Sequence, residues 1–109
     1  MAFIRPLYTC GAFNRQEQRA VMYNTARGTC YTFEGVSALL VKEILAGERE
    51  CPIDTTHIAE VTGTTEEQVA AFFHESLMPI GLVHDHVFSD EEWLQYRKDN
   101  PPCIGAKGY

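Results

Sequence analysis

The chain has 109 residues, 45% of them hydrophobic and 22% charged, with nine Lys+Arg against fifteen Asp+Glu and a formal net charge of −6. That length suits one domain with a buried core and is too short for a doubly wound nucleotide domain beside a substrate domain. From Glu50 to Tyr96 the chain carries ten acids and no Lys or Arg, an acidic tract that repels phosphate backbones and anionic headgroups, so nucleic-acid and membrane partners are not expected.

Phe3, Ile4, Leu7 and Tyr8 make a short apolar segment, and Pro6 inside it predicts an edge strand or an irregular one. After a polar stretch, Asn14–Arg19, the runs Val21–Asn24 and Thr29–Phe33 flank the turn Thr25–Gly28 and predict a β-hairpin. Alternation puts Cys30 and Thr32 on one face of its second strand, Tyr31 and Phe33 on the other. Helical periodicity starts at Glu34-Gly35, with Val36, Leu39, Leu40, Val41, Ile44 and Leu45 on the apolar face and Gly47 at the end. A loop with Pro52 follows, and Asp54 or Thr55 caps a short helix turning Ile58, Ala59 and Val61 inward before Gly63. Thr64 with Glu67, three residues on, matches a capping box for a third helix that runs to about Met78. Gly81 leads into a short strand, Leu82-Val83-His84. Ser89 and three acids then open a last helix to about Lys98.

The expected fold is α+β: a winged helix-turn-helix, three N-terminal β-strands followed by three α-helices, plus a C-terminal helix. Residues 1–88 form the domain and 89–109 the C-terminal helix and a flexible tail. Trp93 and Tyr96, three apart, are expected to dock that helix on the domain.

In a DNA-reading helix-turn-helix the second helix needs Arg, Lys, Asn or Gln facing the groove. Here Thr65–Leu77 carries three glutamates, one glutamine and no Lys or Arg. The same helix has two apolar stripes: Ala70, Phe73, Leu77 and Ile80 on one, Val69, Phe72 and Ser76 on the other. Burial of both in one wide interface is the plain structural account. The functional one is that the second stripe lines a groove beside a strand edge, which is the geometry that captures an extended peptide.

Tyr23-Asn24, a turn, Tyr31-Thr32-Phe33-Glu34-Gly35, an amphipathic helix, Ile58-Ala59, Glu66-Glu67-Gln68-Val69-Ala70-Ala71-Phe72-Phe73, Leu77 and Gly81-Leu82-Val83 stand in the order of a PqqD-like domain. Residues 20–84 resemble this family, the RiPP recognition elements that bind precursor peptides in ribosomal natural-product pathways. The resemblance implies a leader peptide added as a strand beside the third strand, against the third helix. Carried over, the peptide site is Thr29, Cys30, Tyr31, Thr32 and Phe33, with Val69, Phe72, Phe73 and Ser76 as the helix wall. Two positions depart from the family: Val69 stands where an acid is common, and His74 where an aliphatic residue is usual. The implied partners are a leader peptide and a modifying enzyme: a radical SAM maturase, which the resemblance favours for a discrete small protein, with a cyclodehydratase or a lanthionine-forming dehydratase as the alternatives.

His84-Asp85-His86 looks like a metal fragment, but alternation sends the two imidazoles to opposite faces and no ordered ligand spacing accompanies them. Cys10, Cys30, Cys51 and Cys103 are dispersed, with no C-x-x-C pair, and Met1–Gly11 lacks the layout of a secretion signal, so reduced thiols in a cytoplasmic protein are expected. Cys30 in a strand and Cys103 in the tail are expected to be small hydrophobes rather than nucleophiles, which would need a partner base, and no phosphate-loop or nucleophile-elbow motif occurs. A non-catalytic chain with no cofactor and no metal is expected. The competing classes are a winged-helix transcription regulator and a scaffold subunit whose acidic helices bind only protein.

Overall fold

The computed structural model describes residues 3–101. Three strands, β1 (Thr9–Asn14), β2 (Arg19–Asn24) and β3 (Thr29–Glu34), form an antiparallel meander in that order. Four helices follow: α1 (Val36–Ala46), α2 (Thr55–Thr62), α3 (Glu66–Phe72) and α4 (Asp90–Asp99). This is a small α+β fold, sheet first and helices after.

The β2–β3 hairpin forms where the sequence predicts it, with Asn24 opposite Thr29 and Ala20 opposite Phe33. Along β2, Ala20, Met22 and Asn24 have no exposed surface while Arg19 and Tyr23 face solvent. In β3, Tyr31 and Phe33 turn toward the core, and Cys30 and Thr32 lie exposed on the outer face.

The first strand corrects the sequence reading. Phe3–Leu7 is not a strand, and β1 begins only at Thr9 and takes in Asn14, at the start of the expected linker. β1 is a poor strand by composition, and its place comes from backbone pairing to β2. Gly11 permits that pairing, because a Cβ there would overlap the Val21 carbonyl. Phe3 instead enters the core, edge-on to Phe73 at 4.7 Å. Ile4 exchanges backbone hydrogen bonds with His84, at 2.7 and 2.9 Å. The expected strand Leu82-Val83-His84 is therefore a single bridge, with Leu82 and Val83 fully buried beneath it.

α1 packs on all three strands and on α2, burying Ala38, Leu40, Val41 and Ile44. Val36, expected inward, is 56% exposed at the helix start. Asp54 caps α2 by accepting from the His57 N–H at 3.0 Å, and Gly63 ends the helix with φ +71. Val61 faces out, because Thr62, four residues on from Ile58, is the residue in phase with the core. The capping box of α3 is Thr65 with Gln68, one residue later than Thr64 with Glu67. Beyond Phe72 the helix continues as one π-helical turn, Phe73–Leu77. That wider turn rotates less per residue, so Val69, Phe73 and Leu77 all stay on the core side.

α4 is capped by Ser89 with Glu92 and has no buried residue of its own. Trp93 and Tyr96 dock it as expected, both stacking on Tyr8 with ring centroids 5.2 and 5.3 Å apart. The expected tail beyond Pro101, with Cys103, lies outside the described residues.

Gly81 sits beneath this docked helix with φ +75, where a Cβ would overlap the Tyr96 hydroxyl. Gly81→Ala should cost about 2 kcal/mol of stability from strain and displacement together. Urea unfolding checks the loss, and Trp93 fluorescence shifted to the red in the folded variant checks that α4 has lifted.

Candidate functional site

β3 is an edge strand: β2 pairs with one side of it and no strand among the described residues pairs with the other. On such an edge alternate N–H and C=O groups point away from the sheet and accept another strand. α3 does not pack closely on β3. The bridge between them is one aromatic contact, Phe33 against Phe72, edge-to-face at 5.9 Å. At the start of the strand Thr29 Oγ1 is buried without a hydrogen-bond partner.

The candidate peptide-site residues divide into two groups. Thr29, Tyr31 and Phe33 are half-buried on the inner face, Cys30 and Thr32 exposed on the outer face, Phe72 half-buried and Ser76 exposed. Val69 and Phe73 correct the expectation: both are 0% exposed, in the core between the sheet and α2. The two stripes sort differently from the periodic reading because the helix lies flat on the core along the 69–73–77 line. That leaves Phe72 and Ser76 as the accessible wall. α3 opens with Glu66 and Glu67, and among the described residues its two turns carry no Lys or Arg.

A second constellation escaped the sequence reading. Tyr8 is 7% exposed, and its hydroxyl donates to the Gly81 carbonyl at 2.7 Å and meets His84 Nε2. With the tyrosine proton on Gly81, the tautomer of His84 that satisfies the contact carries its proton on Nε2. His84 also stacks on Phe88 at 4.1 Å. Burial, with a hydrogen bond to Tyr96, pushes the Tyr8 hydroxyl far above its ordinary range, and burial holds His84 down at about 4. The signal available in the sequence was aromatic density, with Phe88, Trp93 and Tyr96 close behind His84.

His86 points elsewhere, with Nδ1 on Asp85 at 2.6 Å and Nε2 on Glu92 at 2.5 Å, and the two carboxylates raise its pKa. The two imidazoles diverge, and no group of three metal-ligating side chains occurs among the described residues. Cys10 and Cys30 both pair with Tyr23 from opposite sides. They lie two strand spacings apart, about 10 Å, beyond disulfide reach. No helix among the described residues is long and apolar enough to cross a membrane.

Folding holds His84 neutral, near 4 against its ordinary 6.5. Its contribution to stability is therefore complete above pH 6.5 and is lost as pH falls from there through about 4. His86 has the opposite sign: its contribution is present below its ordinary pKa and lost as pH rises through the raised one. The urea midpoint should fall between pH 6.5 and 4, and His84→Phe should flatten that limb.

No protein-family model matches this chain, and neither a curated protein nor a solved structure does.

Proposed function

We propose that this chain captures an extended peptide by strand addition along the free edge of β3. The observation that carries the reading is the open side of β3 facing Phe72, with Phe33 bridging to it. Main-chain hydrogen bonds along the edge give affinity, and alternate side chains of the guest meet the aromatic wall. The peptide is the leader of a ribosomally made precursor, held in a winged helix-turn-helix in which β2–β3 is the wing and α2, Gly63 and α3 are the helical pair. The chain is a non-catalytic chaperone of the PqqD-like kind, presenting its cargo to a separate modifying enzyme, a radical SAM maturase. We infer a cytoplasmic setting, which four dispersed cysteines without a C-x-x-C pair support.

The energetics suit a carrier that must release its cargo. A short added strand with one or two apolar anchors gives a Kd near micromolar, about −8 kcal/mol. Ordering a disordered leader consumes much of the gross interaction.

The acidic first turn of α3 stands against the DNA-binding alternative. An amide-resolved NMR titration with the leader from a small reading frame beside this one should shift Thr29–Glu34 and Ala71–Ser76, with shallow salt dependence. Phe72→Glu should abolish capture. Ser76→Glu, which alters an exposed position and leaves the core alone, should weaken it about tenfold. Binding that survives in both folded variants rejects this groove, and capture of DNA with a steep salt slope restores the regulator.

A further inference from the structure

Away from β3, an open cavity of about 380 Å³ lies between the N-terminal segment and α4, lined by Pro6, Leu7, Tyr8, Glu50, Phe88, Asp90 and Trp93. Its wall combines three aromatic rings with two carboxylates, and no Lys or Arg lines it. Neither Glu50 nor Asp90 is in an ion pair among the described residues. Trp93 already holds a cation over its ring, the Arg97 guanidinium at 5.9 Å from the centroid. Glu50 reaches the cavity from a left-handed backbone, φ +63, with its N–H on the Arg5 carbonyl at 2.9 Å. Glycine takes that conformation without strain and glutamate does not. A strained acid therefore stands on the wall of an aromatic cavity.

We propose that this cavity receives the guanidinium or ammonium end of an arginine or lysine side chain carried by a partner polypeptide. Aromatic walls and carboxylates together select an organic cation over a neutral chain: the rings attract it through their π faces and shed its stem from water, and the acids neutralise it. Leu7, 64% exposed beside the cavity, offers apolar contact to the residues flanking that cation. The acidic tract from Glu50 to Tyr96 favours a basic segment over an acidic one. This site stands independently of the reading of β3.

Trp93 is the sole tryptophan of the chain, so its fluorescence reports on this cavity. The full chain should be titrated with N-acetyl-argininamide, N-acetyl-lysinamide and neutral N-acetyl-citrullinamide, in parallel with amide NMR. The two cations should saturate with Kd around the millimolar level expected of a single side chain, shifting Leu7, Tyr8, Glu50 and Trp93. Citrulline should bind at least about tenfold more weakly. Glu50→Gln and Asp90→Asn should each weaken the cations about fivefold. Glu50→Gly should weaken them equally while raising the thermal midpoint, an outcome that a merely structural role for Glu50 would not produce. An arginine flanked by apolar residues in a short peptide should bind more tightly than the capped residue. Equal affinity for citrulline, unchanged affinity in all three variants, or shifts elsewhere in the chain would overturn the proposal. Loss of affinity when the arginine is placed in a peptide would reject the polypeptide source.

Discussion

Asn24 is an amide with no exposed surface at the end of the central strand, and a buried amide is costly unless every polar atom finds a partner. Its Oδ1 accepts from the Arg27 N–H at 3.2 Å, inside the hairpin turn. Its Nδ2 donates to the Tyr96 hydroxyl at 2.9 Å and to the Ile80 carbonyl at 3.3 Å. One side chain thus ties together the turn before β3, the segment after the π-helical turn and the last helix. α4 buries no residue fully, so its position rests on this hydrogen bond, on the His86–Glu92 contact and on the packing of Trp93 and Tyr96 against Tyr8, His84 and Phe88. Without Asn24 satisfied, α4 loses one of its polar anchors.

The same arrangement leaves β3 open. A three-stranded meander buries one face, here the row through Ala20 and Met22, and α1 with the core side of α3 covers it. Among the described residues no strand pairs with the outer side of β3, and Phe33 meets Phe72 of α3 beside it. Free edges invite association and are ordinarily blunted by charge, bulges or proline. β3 has neither proline nor lysine, and its only charged residue is Glu34, at the end and paired with Arg19 at 2.8 Å. An edge kept clear in this way is suited to a guest strand. The aromatic–acidic cavity is lined by residues of the N-terminal segment and α4 rather than of β3, and the role proposed for it, cation capture, calls on different chemistry from backbone pairing.

Much of the fold was legible because short-range rules governed it. The β2–β3 hairpin followed from two β-prone runs around a glycine turn, α1 from its apolar line, and the ends of α2 and α4 from Asp54, Gly63 and Ser89. β1 was not legible, because its residues have little strand character and Gly11 is there for close backbone approach to Val21. Thr64 and Thr65 carry equivalent capping signals one residue apart, and the choice between them depends on where the Gly63 turn delivers the chain. The candidate site was half legible. The periodicity of α3 identified the apolar positions but not their depth: the helix turns Val69 and Phe73 into the core, and the π-helical turn keeps Leu77 in line with them, while Phe72 is half-buried and Ser76 exposed.

By itself the sequence determined the order of sheet and helices, the acidic surface and the alternation along β3, because these depend on residue type at fixed spacing. It also pointed to Trp93 and Tyr96 as the docking residues of α4, since two aromatics on an otherwise polar helix need cover, but the structure decided that the cover is Tyr8 of the same domain rather than a partner. Only the tertiary structure decided where the first strand lies, since β1 is set by backbone pairing to β2 and leaves β1 and β3 as the two edges of the meander. It alone brought Tyr8 to His84 and Trp93, and Glu50 to Asp90, residues separated by about 40 to 85 positions in the chain. Contacts that distant follow from how the helices wrap the sheet, which no local pattern encodes.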